Sequence, residues 1–78
     1  MQKGGKSEFS FVLIQIGNRI KEIRQKAGKT QEDMAEAPYP IELRNYQRIE
    51  AGEQNITVKT LFKLAKKLNC KMTDIISV

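Results

Sequence analysis

Between residues 9 and 27 the apolar side chains Phe9, Leu13, Ile16, Ile20, Ile23 and Ala27 recur at steps of three and four. A helix turns once every ~3.6 residues, so this spacing lays them in one stripe along a single helix. The opposite side carries Asn18, Arg19, Lys21, Glu22, Gln25 and Lys26. Such a stripe has to be buried, and the rest of the chain must supply what covers it. Gly28 follows where a helix C-terminal glycine belongs, because it takes left-handed backbone without a Cβ penalty. Ser7 and Ser10 both offer an N-capping hydroxyl, and the spacing does not choose between them. Ile14-Gln15-Ile16 alternates as a strand would, but it lies inside the helical stripe.

The remaining segments are also helical. Thr30 opens a second helix, with Asp33 three residues on in a capping-box-like arrangement and Met34 and Ala35 facing the core. Pro38 and Pro40 keep this helix very short. Periodicity resumes after Pro40 and gives a third helix over about 41–51, with Tyr46 and Ile49 inward and Gly52 ending it. Glu53-Gln54-Asn55 forms a loop and Thr57 caps a fourth helix. There Val58, Leu61, Leu64, Ala65 and Leu68 line the apolar side, Lys59, Lys63, Lys66 and Lys67 lie outside, and Asn69 takes the left-handed end. Thr73 is expected to cap a last helix, Asp74-Ile75-Ile76. The reading is all-α: a compact bundle of five helices with short connections.

At 78 residues there is room for one small domain, expected over 8–78 behind a loose Gly- and Lys-rich tail at 1–7. A net charge of +5 favours a polyanionic partner, although basic charge also serves plain solubility. With no histidine and one cysteine, Cys70, neither an internal disulfide nor a zinc site has its ligands. The longest apolar run, Phe11-Val12-Leu13-Ile14, is too short for a signal sequence or a membrane span, so a reduced, cytosolic setting is expected. Gly28-Lys29-Thr30 and Gly5-Lys6-Ser7 lack the upstream glycine of a phosphate-binding loop. No catalytic constellation, cofactor or small-molecule ligand is expected.

Function is carried by the third helix. Two short helices joined by a tight turn form the outline of a helix-turn-helix, whose second helix enters the DNA major groove. Opposite Tyr46 and Ile49 lie Arg44, Asn45, Gln47 and Arg48. Arginine can bind guanine O6 and N7 bidentately, and Asn or Gln can pair with adenine. A plain solvated helix face has the same composition, so the face alone leaves both readings open.

Several linked motifs do more. Ile16-Gly17-Asn18-Arg19-Ile20-Lys21-Glu22-Ile23-Arg24, Lys29-Thr30-Gln31-Glu32-Asp33-Met34-Ala35, Arg48-Ile49-Glu50-Ala51-Gly52 and Asn55-Ile56-Thr57-Val58-Lys59-Thr60-Leu61 follow one another in order. Leu64-Ala65 and Leu68-Asn69 complete the series. From Arg19 to Ile76 the chain resembles the Cro/repressor-type helix-turn-helix domains, the XRE family, with their lambda-repressor-like five-helix fold. The resemblance implies a sequence-specific regulator of double-stranded DNA. It places Leu43, Arg44, Asn45 and Arg48 in or near the groove and Gln47 at its flank. Thr30, Gln31, Gln47, Asn55, Thr57 and Lys59 would approach phosphates, and Arg24 would pair with Glu50 to aim the third helix, direct phosphate contact being the alternative for Arg24.

The resemblance also implies a homodimer on a palindromic site, through the C-terminal cluster Met72, Ile75, Ile76 and Val78; a core role for these four is the alternative. One departure stands out. There is one residue more than usual between Gln31 and Gly52, and Ala37-Pro38-Tyr39-Pro40 replaces the usual glycine turn. The phase of the third helix is therefore open, and Leu43 either meets a thymine methyl or joins the core. A protein-binding adaptor built on the same fold, with groove entry disabled by the prolines, is the rival function.

Overall fold

The computed structural model describes residues 7–76. Met1–Lys6, most of the expected tail, and Val78 of the expected dimer cluster lie outside them. Helix α1 runs Glu8–Lys26. Its cap is Ser7, whose Oγ accepts the Ser10 N–H at 3.1 Å. The helix closes through Gly28 at φ +72°, with the Lys29 N–H reaching back to the Arg24 carbonyl at 3.1 Å.

The second expected helix is a single 3-10 turn, Glu32–Ala35, so the described residues hold four α-helices rather than five. The cause is local. Thr30 and Asp33 bond reciprocally, the Thr30 N–H to Asp33 Oδ2 at 2.8 Å and the Asp33 N–H to Thr30 Oγ1 at 3.1 Å. Glu36 is already extended, and the prolines beyond it lack the N–H groups that would lengthen the ladder. No strand forms among the described residues.

The Glu36–Pro40 crossing is fastened from outside. Lys67 Nζ donates to the carbonyls of Glu36 at 2.5 Å and Pro38 at 3.1 Å, and Lys63 Nζ to that of Pro40 at 3.3 Å. Tyr39 sits at φ +59° with its ring edge-on to Phe62, centroids 5.9 Å apart. Ile41 then drops into the core, and its N–H bonds the Met34 carbonyl at 3.0 Å.

Helix α2, Leu43–Glu50, begins two residues later than expected, because Glu42 caps it: its carboxylate accepts the N–H groups of Arg44 and Asn45 at 3.3 and 2.9 Å. Gly52 at φ +74° ends it. Helix α3, Val58–Leu68, has Thr57 and Asn69 at its ends as expected, with Asn69 left-handed at φ 53°. Val58, expected on the apolar side, is 74% exposed, since the first helical residue overhangs the core. Helix α4, Met72–Ile75, starts one residue before the expected cap. Thr73 lies inside it, and Asp74 instead secures the start by accepting the Lys71 N–H at 2.9 Å. Arg19 Nε donates to the Asp74 carbonyl at 2.8 Å and ties α4 back to α1.

Ile20, Met34, Tyr46, Ile49, Leu64 and Ile75 are essentially solvent-free at the centre. Every element contributes to that core, so α2 is held on a rigid frame. The two ends of the α1 stripe, Phe9 and Ala27, are exposed, because the helix outruns the elements that cover its middle.

Candidate nucleic-acid interface

The position of α2 is set at its C-terminal end, where α1 crosses it. A Cβ on Gly17 would lie 2.5 Å from the Glu50 carbonyl oxygen and 2.6 Å from that of Ile49, so only glycine allows this approach. Gly52 is constrained twice, by its positive φ and by Ile14, whose Cα would be 2.7 Å from an added Cβ.

Beside this crossing lies a buried polar cluster. Arg24 Nε donates to Glu50 Oε2 at 2.5 Å and Nη2 to Oε1 at 3.3 Å, while Nη1 holds the Lys29 carbonyl at 2.8 Å. Tyr46 Oη donates to the same carboxylate, and Gln31 Nε2 reaches Glu50 Oε1 at 3.0 Å. Burial alone would raise the Glu50 carboxyl. The hydrogen bonds from Arg24, Tyr46 and Gln31 outweigh it and hold the group below the ordinary range. The hydrogen bonds it donates to Glu50 keep the Arg24 guanidinium firmly charged, and burial pushes the Tyr46 phenol far up. Every buried side-chain polar atom among the described residues has a partner. The cluster joins α1, the 3-10 turn and α2 into one unit.

Gln31 relays this order outward. Its Oε1 accepts from Gln47 Nε2 at 3.2 Å, so Gln47 keeps its own Oε1 and one N–H for other partners. Asn45 is half-buried, and its Oδ1 accepts from Gln54 Nε2. Arg44 and Arg48 are exposed, carry no ion pair among the described residues, and with Gln47 and Glu53 line a shallow depression. Leu43 is half-buried at the first turn of α2 and outside the buried core cluster.

The residues expected near phosphates separate into two groups. Asn55 and Lys59 are exposed beside the start of α3. Thr57 spends its hydroxyl on the Thr60 N–H and on Thr60 Oγ1, both at 3.1 Å, and Gln31 is engaged in the relay. Thr30 is exposed and turned toward Asp33, whose N–H its hydroxyl accepts and whose carboxylate its side chain also bonds. In the C-terminal cluster, Ile75 is fully buried, Met72 packs against the core and Ile76 is 43% exposed. Cys70 is half-buried, and burial raises its thiol, which disfavours the reactive thiolate.

Sequence reasoning assigned no role to Glu42, Gln54, Lys63 or Lys67. Glu42 carried a readable signal, an acidic residue just ahead of a helical run. The lysines carried none, because their carbonyl partners lie more than twenty residues away.

Among the described residues no helix is long and apolar enough to cross a membrane, and no group of metal-ligating side chains gathers. What remains is an eight-residue helix, braced on its inner side and presenting arginine and amide groups outward behind a short turn. That is the arrangement of a helix-turn-helix protein. The family model described as Helix-turn-helix matches residues 20–75. The chain belongs to this family as a Cro/repressor-type, XRE-class domain, a class of DNA-binding transcription regulators. No curated protein and no solved structure matches it.

Proposed function

We propose that the chain is a cytosolic, sequence-specific regulator that binds double-stranded DNA through α2 and acts by occupancy rather than by chemistry. The observation that carries this reading is the pair Arg44 and Arg48, one turn apart on α2 and free of any protein ion pair among the described residues. Two unpaired guanidinium groups on a braced helix suit bidentate contact with guanine O6 and N7. Leu43 offers an apolar contact for a thymine methyl.

Asn45 belongs to the same base-contacting face. The bond from Gln54 holds its amide in place, and a second lone pair on the oxygen stays open beside the NH2 donors. Gln47 lies at the flank, near backbone phosphates. Lys59, Asn55 and Thr30 make phosphate contacts that fix register without carrying sequence. Gln31 and Thr57 support phosphate contact by placing their neighbours. Binding as a homodimer to a palindromic site, with half-sites roughly one helical turn apart, completes the reading.

Selection of bound duplexes from a random library tests it. The expected result is an enriched motif containing guanine, with affinity falling steeply as salt is added, because phosphate contacts release counterions. Failure to enrich any duplex overturns the reading and favours the adaptor.

A further inference from the structure

The first ten residues of α1, Glu8–Gly17, are apolar around the helix rather than along one side. Phe9, Val12, Leu13 and Ile16 continue the core-facing stripe, while Phe11 and Ile14 lie on the other flank. A helix apolar on several sides is normally covered on several sides. Here Ile14 meets Gly52, yet Phe9 and Phe11 are each 56% exposed. The molecule is correspondingly elongated, 43 Å against 23 and 22 Å. The helix-turn-helix match begins only at residue 20, so this arm precedes it.

We infer that the arm of α1 is a self-association surface, occupied by the arm of a second copy. Charge selects that occupant. From Ser7 to Asn18 the only charged residue is Glu8, in a chain whose residues are 29% charged and whose net charge is +5. Two such chains repel over most of their surfaces and least at these arms. Nucleic acid or an acidic protein would need cations here, and the arm has none. A two-fold pairing sets the same apolar patch against itself, as an isologous interface requires. The C-terminal cluster has less to give, since Ile75 and Met72 serve their own core.

The arm is continuous with the segment of α1 that clasps α2 at Gly17, so pairing two arms sets two α2 helices relative to each other. Ten helical residues span about 15 Å. They provide less than the ~800 Å² per partner of a standard interface, so the free dimer is weak and is strengthened when adjacent half-sites hold both copies. This dimer rests on the DNA reading only for its role, not for its existence.

Sedimentation of the full chain across micromolar to millimolar concentrations tests it. The wild type is expected to show a reversible monomer–dimer equilibrium. Phe11→Glu, which lies off the core stripe, should weaken it about 10-fold or more with unchanged helical circular dichroism, as should Phe9→Glu, while Ile76→Glu leaves it intact. On a selected duplex carrying two inverted half-sites the wild type should bind cooperatively and Phe11→Glu should not, although both bind one half-site equally. A wild type that stays monomeric throughout, or a dimer lost with Ile76→Glu and kept with both phenylalanine variants, overturns the inference. A dimer broken by Phe11→Glu in a protein that binds no duplex supports the inference and overturns the DNA reading.

Discussion

Arg44 and Arg48 differ from the chain's two other arginines in having no carboxylate of their own to neutralise among the described residues. Arg24 is spent on Glu50, and Arg19 on Glu22 and the end of α4. Replacing Arg44 or Arg48 with alanine is therefore expected to leave stability nearly unchanged and to cost about 1–3 kcal/mol of discrimination at one base pair each. Competition binding against single-base variants of the selected duplex measures this. Glu50 gives the opposite outcome. Its carboxyl is held below the unfolded value of 4.5, so it contributes stability that is fully present above that pH and is lost as pH falls through the lower folded value. Glu50→Gln should flatten this acid limb. It should also cost about 3 kcal/mol at neutral pH by leaving Arg24 buried without a counter-charge, as urea unfolding at several pH values would show. The Arg24–Glu50 pair was suggested by family likeness alone, since nothing in the spacing joins residues in different helices. Gln31 shows the limit of such reading. Its polar amide was assigned outward, but a buried carboxylate with two oxygens to satisfy drew it inward.

At the scale of elements, periodicity and caps located α1, α2 and α3 because local forces dominate there: Ser7, Thr57, Gly28, Gly52 and Asn69 act within one turn of where they stand. The turn between Ala35 and Leu43 was not legible. Its path depends on Lys63 and Lys67 reaching across from α3 to backbone oxygens, contacts that no local pattern announces. Lys67→Met, which keeps the apolar stem and removes the donors, is expected to lower stability by about 1 kcal/mol and to speed amide exchange in the turn more than in α3. The α1–α2 crossing was equally silent. Gly17 looked like one more member of a motif, whereas its missing side chain is what lets two backbones meet. Gly17→Ala should cost about 1–3 kcal/mol by forcing them apart, and should weaken duplex binding in addition, because α2 moves with the crossing. Thermal denaturation and duplex titration of the same variant separate the two effects.

For the whole molecule, the composition pointed to a polyanion and the family narrows this to DNA, but formal charge is a poor guide to where binding energy lies. Lys59→Ala is expected to weaken every duplex alike and to reduce the slope of log affinity against log salt by about 0.9, leaving base preference unchanged. Lys63→Ala and Lys67→Ala should alter that slope little. Those two ammonium groups are already occupied, fastening carbonyl oxygens on either side of the prolines. Half of the lysines on α3 therefore work as buckles, and a ledger of ionic attraction drawn up from amino-acid totals would credit the wrong side of the protein.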